Sequence, residues 1–461
     1  SPPGPIDLAG SRVVQRLTRG QRVGYAAGSF GTGGFGTVPG LLLLFYLTDV
    51  LGVAAALAGV LVFLPKLWDV VVDPFLGSSS DRTMLRRGSR RPWLLVGGLA
   101  LPVAFVLTFA APAGLEGPAA GVWVGVFFIA SVTAFSVFQV SYLAMPAEIT
   151  DDYRERIDLM AWRIVFLTLA ILSFGVLAPL LVDAGGGGRA GYLEMAVVVG
   201  ALLGLSLLGA WFGTRTTRAY GVPQQEATLS EQVHALRENR WFALLLGAFM
   251  LQALATGTML AGAVYVATYV LGDGGLTSVL FACLVGPAVL VMPVWRRIGL
   301  RAGKQRAFLV ATLLFVAATL ALLALRWLPP VGVYAVVGMV GVAYAGMQMF
   351  PLSMLPDTLA ADAATHGRQR AGLFTGLWTA GETTGFALGP AIVAGVLAVT
   401  GFVSSTAEQT VSQPDSALTG IVLAFSLLPA VLAVLSLPMV ARYDLSADRL
   451  HALLRTAEEP A

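Results

Sequence analysis

Apolar runs of about twenty residues recur along the whole chain, at 23–47, 53–77, 93–112, 120–146, 160–183, 191–212, 241–271, 276–295, 306–328, 331–355, 371–400 and 418–441. Each is long enough to carry an α-helix across roughly 30 Å of hydrocarbon. The pattern therefore predicts an all-α membrane protein with twelve transmembrane helices. Polar residues gather in the connections, and the positive ones gather in alternate connections: Arg12 to Arg22, Arg82 to Arg91, Arg154 and Arg156, Arg215 to Arg240, Arg296 to Arg306, Arg368 and Arg370, and Arg442 to Arg455. Lysine and arginine accumulate on the cytoplasmic side of membrane proteins, so both termini are expected in the cytoplasm.

The same pattern divides the chain into a cytoplasmic arm (1–22), a six-helix half (23–212), a cytoplasmic linker (213–240), a second six-helix half (241–441) and a cytoplasmic tail (442–461). In the linker, Thr228-Leu229-Ser230-Glu231 has the form of a capping box and predicts a short surface helix. The tail repeats leucine at 445, 450, 453 and 454 and is expected to lie amphipathically on the cytoplasmic face. The halves echo each other. Met145-Pro146-Ala147-Glu148 closes the fourth run and Leu355-Pro356-Asp357 closes the tenth, each followed by an arginine-bearing loop. Two pseudo-symmetric six-helix halves with a solute path between them near the midplane describe a secondary transporter.

Composition agrees with this and removes other classes. The chain is 57% hydrophobic and 12% charged, with a mean hydropathy of +0.79; soluble proteins carry about 25% charged residues. A multi-pass plasma-membrane protein is expected, acting as a monomer in the lipid bilayer. The net charge of +3 comes from topological clusters and not from a basic face, so no nucleic-acid partner is expected. One cysteine, Cys283, and three histidines in polar segments give no Cys- or His-based metal site, and no cofactor is expected. Ser1 to Gly10 is Pro- and Gly-rich and leads into a full-length apolar run, which suggests an arm and not a cleaved signal.

Chemistry concentrates in the second run. Lys66, Asp69 and Asp73 fall at i, i+3 and i+7 and share one helix face, where each ionised side chain costs about 2.5–3.5 kcal/mol at mid-membrane. Two carboxylates one turn apart repel unless a cation or proton joins them, so they form a candidate cation site. Further along, Arg163 and Glu382 are isolated charges in apolar helices. Arg163 is expected either to balance an acid or to bind an anionic or hydroxylated solute; Glu382 either to titrate or to meet the positive part of a zwitterion. Gly31, Gly33, Gly34, Gly36 and Pro39 are expected to serve helix contact and bending. Among the aromatics in the spans, Tyr142 and Trp378 are the expected cavity residues. Asp81, Arg82, Glu148, Arg154, Asp357 and Arg368 form a candidate inner gate on the cytoplasmic side. With no nucleophile turn, phosphate loop or metal cluster, an enzyme is not expected. The alternatives are an exporter of drugs or metabolites and a non-transporting membrane sensor.

Three stretches together resemble a known family: Tyr46-x-Thr48-Asp49-Val50-x-Gly52, then Trp68-Asp69-x3-Asp73-Pro74-x2-Gly77-x3-Asp81-Arg82, then Arg90-Arg91-Pro92-Trp93. With Met354-x-Pro356-Asp357 and Gly367-Arg368-x-Arg370 in the other half, the chain is similar to the glycoside–pentoside–hexuronide:cation symporters. The resemblance implies a major facilitator fold and symport of a small solute driven by Na⁺ or H⁺. It assigns the cation to Asp69 and Asp73, with Lys66 and a supporting hydroxyl at Ser136; Val72 stands where an asparagine often precedes the second aspartate. The family's sugar-binding acids fall on Gly33 and Gln139, its aromatics on Leu143 and Gln348, and its lysine at or beside Thr383, next to Glu382. Its fifth-helix arginine is kept as Arg163. With the galactoside grip absent, the expected solute is either a sugar- or glycoside-like molecule or an amphipathic lysolipid, since lipid-carrying relatives keep the aspartate pair.

Overall fold

The computed structural model describes residues 17–150, 153–215, 217, 229–366, 370–406 and 411–458. The helices, in chain order, are α1 (Arg19–Phe45), α2 (Ala55–Arg87), α3 (Arg91–Phe109), α4 (Gly117–Ile149), α5 (Tyr153–Ala184), α6 (Gly188–Thr214), α7 (Leu229–Glu238), α8 (Arg240–Tyr265), α9 (Leu276–Ala302), α10 (Lys304–Ala321), α11 (Pro330–His366), α12 (Ala371–Val399), α13 (Asp415–Phe425), α14 (Leu427–Arg442) and α15 (Ala447–Glu458). Twelve spans among them are long and apolar enough to cross a membrane, α13 and α14 forming the last.

Several helices outrun their apolar runs. The second span is expected to end at 77, but α2 continues to Arg87, through residues 78–83, mostly weak helix formers, and then Met84, Leu85, Arg86 and Arg87, which favour helix. It stops where Gly88 takes the left-handed conformation at φ 70°, which glycine adopts without a Cβ penalty. In the same way α4 reaches Ile149 and α11 reaches His366, so these helices project beyond the bilayer on the arginine-rich face. The last span breaks at Ser426 (φ −120°, ψ −68°); Pro429, three residues on, has no N–H to offer the carbonyl of Phe425. The linker helix forms as α7, with the proposed cap Thr228 outside the described residues.

The packing within the two halves follows one scheme. In the first, α1 lies against α5 and α6, α3 against α4 and α6, and α2 against α4. In the second, α8 lies against α12 and α14, α10 against α11 and α14, and α9 against α11. Exchanging α1–α6 for α8, α9, α10, α11, α12 and α13/α14 converts one list into the other. The contacts between halves obey the same exchange: α2 packs on α12, α5 on α9, and α1 on α8. This is the pseudo-twofold arrangement that the repeated sequence motifs anticipate.

Small residues let these helices approach. A Cβ on Gly24 would lie 2.6 Å from the Gly213 Cα, fixing the α1–α6 crossing, and one on Gly59 would lie 2.7 Å from the Ala394 Cβ, fixing α2 on α12. The first-span glycines behave as expected at Gly31, Gly33 and Gly34, which face Leu207, Ala170 and Phe174, whereas Gly36 faces open space.

Candidate functional site: the carboxylate helix, the central charges and the outer seal

On α2, Lys66 Nζ lies 3.0 Å from Asp69 Oδ2. From α4, Ser136 Oγ donates to Asp69 Oδ1 at 3.1 Å. One turn earlier on α4, Thr133 Oγ1 accepts from the Trp68 indole at 2.9 Å. Sequence reasoning overlooked Thr133; the signal was a hydroxyl at i−3 from Ser136 on the same face. Three of the four residues expected at the cation site are thus in direct contact. Asp73 follows one turn along α2, partly buried. In this arrangement the Lys66 ammonium holds one Asp69 oxygen, so an incoming cation competes with it or binds toward Asp73.

The candidate solute residues divide between the halves. Arg163, on α5, lies with Cζ 6.0 Å from the centroid of the Tyr142 ring, and its Nε is buried without a hydrogen-bond partner. On α4, Gln139 Oε1 is also buried without a partner. On α12, Glu382 is half-buried, and Gln348 donates to the Tyr344 hydroxyl at 2.8 Å within α11. Trp378, one turn before Glu382, stacks on Phe249 at 4.4 Å and leaves its indole N–H buried and unpaired.

Tyr142 is a correction. Its hydroxyl is 2.8 Å from Ser29 Oγ and donates to the Tyr25 carbonyl at 2.8 Å, and its ring stacks on Tyr25. The hydroxyl is therefore committed to α1–α4 packing, and only the ring serves Arg163. Gly33, where the resemblance would put a sugar-binding acid, is closed by α5: a Cβ there would lie 2.9 Å from the Ala170 Cβ. Sequence reasoning also passed over Thr375, Thr379 and Thr383, which repeat at four-residue spacing on α12 and are exposed. Thr379 and Thr383 donate to carbonyls one turn back, leaving oxygen lone pairs outward. A hydroxyl stripe on a membrane helix suits a water-filled path better than lipid.

The expected inner gate has a different wiring. Arg90 pairs with Asp81 and with Glu148, the latter at 3.0 Å, all three in the first half. Lys304 pairs with Asp357 at 2.5 Å in the second half, and Arg370 pairs with Asp362 at 2.9 Å and with Glu238 of the linker helix at 2.5 Å. Arg82 is exposed; Arg368 and the side chain of Arg154 lie outside the described residues. Among the described residues these ion pairs each stay within one half or its linker.

The halves join at the opposite face. α1 ends in a π-turn (Tyr46–Val50) and α8 in another (Val266–Val270). Asp49, 7% exposed, accepts from Thr48 Oγ1 at 2.5 Å and from the Tyr269 hydroxyl. The Tyr265 hydroxyl lies 2.7 Å from Thr48 Oγ1. The segment after α12 completes this seal. Ser405 N donates to the Thr48 carbonyl at 2.9 Å, Ser404 Oγ to the Val53 carbonyl at 2.8 Å, and Leu51 bridges to Thr406. On the positive-inside assignment this is the outer face, closed in a molecule whose cytoplasmic ion pairs, among the described residues, do not cross the interface. A hydrogen bond contributes about 0.5–1.5 kcal/mol net. Tyr269→Phe is therefore expected to speed labelling of a cysteine placed at Ser405 by an impermeant maleimide roughly tenfold, a change of about 1.4 kcal/mol. An unchanged rate would assign the seal to its backbone contacts.

Residues 24–447 match the family described as MFS/sugar transport protein. The chain belongs to that family. The chain is 28% identical over 450 residues to the putative glycoside/cation symporter YagG of Escherichia coli (strain K12), covering 96% of this chain and 95% of that protein. To the sodium-dependent lysophosphatidylcholine symporter 1 of Mus musculus it is 24% identical over 378 residues, covering 75% and 71%. Among solved structures, a bacterial homologue of the lysosomal transporter Spinster, inward-facing and unoccupied, superposes with a TM-score of 0.61 at 16% identity, covering 96% of this chain and 98% of that one. That likeness bears on the fold. The MFS/sugar transport protein family comprises transporters and not enzymes, and this member is a multi-pass membrane protein with the twelve-helix major facilitator architecture.

Proposed function

We propose that the chain is a cation-coupled symporter, moving a small solute by alternating access between its halves, with Asp69 and Asp73 as the coupling carboxylates. The observation that carries this reading is the α2 cluster, in which Asp69 is held by Lys66 at 3.0 Å and Ser136 at 3.1 Å one turn from a second aspartate. Lys66 balances one of the two aspartates on this face of α2, so one further positive charge neutralises the cluster. A single Na⁺ or H⁺ supplies it. Charges at this depth are costly unless they are paired, and a cation that must be present for the halves to move is how a gradient performs work on the solute.

The printed names of the relatives support two solute classes, glycosides and lysophosphatidylcholine, and Na⁺ in one case. The test is a thermal-stability screen of the purified chain against glycosides and lysolipids at fixed pH, with and without Na⁺. Stabilisation by a solute that deepens when Na⁺ is added identifies Na⁺ coupling. Stabilisation that ignores Na⁺ but changes with pH identifies H⁺. A solute effect indifferent to both removes the coupling reading.

A further inference from the structure

We infer that Thr133 is a positioning residue for the coupling cation, acting through the Trp68 indole. Together they hold the backbone beside Asp69 against α4 by a contact that no ion has to make or break. This role rests on the coupling reading above, and adds to it the residues that fix where the Asp69 carboxylate stands.

α2 and α4 meet along their length. Toward the outer face, Leu61 of α2 covers Gly121 and Gly125 of α4, where a Cβ on either would lie 2.9 Å from a Leu61 methyl. Toward the cytoplasmic face, the hydroxyls of Ser80 and Ser141 lie 2.9 Å apart, both buried. Between these contacts, hydrogen bonds cross in opposite directions. The Trp68 indole donates to Thr133 Oγ1 at 2.9 Å, and Ser136 Oγ donates to Asp69 Oδ1 at 3.1 Å. Trp68 and Asp69 are consecutive on α2, and Thr133 and Ser136 are three apart on α4, so the crossings lie within one helical turn of each other.

The two crossings differ in what an arriving ion does to them. Asp69 must exchange partners: Lys66 holds one oxygen at 3.0 Å and Ser136 the other, and a bound cation displaces or shares one of them. Trp68 and Thr133 carry no charge and stand outside that exchange. Their bond also has a fixed sense. The single hydroxyl proton of Thr133 goes to the Ile129 carbonyl at 2.8 Å, which leaves its oxygen as an acceptor, and an indole N–H can only donate. Trp68 is 43% exposed on α2 beside the exposed side chains of Leu64, Leu67 and Val71. That apolar surface offers the N–H no other acceptor. Because Trp68 directly precedes Asp69, the place where the indole is held also sets the place of the Asp69 Cα. A binding constellation must stand within about 0.5 Å of its productive geometry, so loss of this anchor lowers ion affinity without removing any ion ligand.

The test follows the unfolding temperature of the full chain in nanodiscs against NaCl at fixed pH, with choline chloride holding the ionic strength constant, and against pH without Na⁺. The readout is the midpoint of the stabilisation by whichever ion stabilises the wild-type chain. Thr133→Val keeps the shape and removes the acceptor. It is expected to raise a Na⁺ midpoint at least about threefold, or to lower a pH midpoint by about 0.5 unit, the scale of an interhelical hydrogen bond in a membrane. Thr133→Ser is expected to restore the wild-type midpoint. Trp68→Phe removes the same bond from its other end and carries the test should Thr133→Val fail to fold; it should give the same shift, and the double variant should shift no further than either alone. Ser141→Ala removes the cytoplasmic α2–α4 contact and is the packing control, expected to lower the unfolding temperature and leave the midpoint in place.

An unshifted midpoint in folded Thr133→Val or Trp68→Phe, no rescue by serine, additive shifts in the double variant, or an equal shift in Ser141→Ala would each overturn the positioning role. Failure of the coupling reading looks different. An ion response that survives in both Asp69→Asn and Asp73→Asn, or a wild-type chain indifferent to Na⁺ and to pH, overturns the two together, whereas a response lost in the aspartate variants but unmoved in Thr133→Val overturns the positioning role alone.

Discussion

In proteoliposomes, the Asp69→Asn protein is expected to exchange solute by counterflow but to lose at least about 90% of gradient-driven accumulation, and Asp73→Asn is expected to do the same. The reason lies in what each oxygen of Asp69 holds. One is occupied by Lys66 and the other by Ser136, so the carboxylate is the junction between α2, α4 and any cation entering between Asp69 and Asp73. An asparagine keeps the shape and part of the hydrogen bonding but removes the charge that a cation must answer. Uphill transport then has no gradient to draw on, while the conformational exchange that counterflow measures needs none. The substitution also strands Lys66, a charge costing about 2.5–3.5 kcal/mol at mid-membrane. The unfolding temperature of Asp69→Asn is expected to fall, and Lys66→Met in the same chain is expected to restore it. Undiminished accumulation in both aspartate variants would move the coupling site elsewhere.

A larger structural effect is expected at the α8–α12 crossing. A Cβ on Gly389 would run into the Gly257 carbonyl carbon and lie 2.6 Å from the Thr258 N. Both obstacles are backbone, which cannot swing aside as a side chain does. Gly389→Val must therefore push the helices apart, and overpacking of this kind costs about 1–3 kcal/mol or more. The expected result is an unfolding temperature lower by several degrees and poor recovery of folded protein from membranes. Gly395, six residues further along α12, has nothing within 4 Å of where its Cβ would stand. Gly395→Val is the matched control and should leave the unfolding temperature unchanged. Equal stability of the two variants would show that the crossing can relax.

Much of the architecture was legible in the sequence because the bilayer imposes strong local rules. Span length, positive clusters and the repeated Pro-acid motifs after the fourth and tenth runs lead to twelve helices in two related sets. Helix periodicity likewise puts Lys66, Asp69 and Asp73 on one face, and the family resemblance supplies Ser136 from another helix. What was not legible depends on tertiary placement. Asp49 becomes a seal only because the segment after α12 returns to the end of α1, some 350 residues later in the chain. No local pattern announces that meeting. The partners of the gate residues also depend on tertiary placement: Arg90 stands close enough to take both Asp81 and Glu148 and pairs them within one half. For Tyr142, residue type suggested a cavity wall, whereas the neighbouring Ser29 and Tyr25 claim its hydroxyl.

The pseudo-twofold relation of α2 and α9 has a further consequence. Counted from the first residue of each helix, the steps that hold Lys66, Asp69 and Asp73 on α2 hold Pro287, Leu290 and Val294 on α9. The halves are alike in packing and unlike in charge here, so an ion held on α2 would load one half of the molecule and leave its mate as it was.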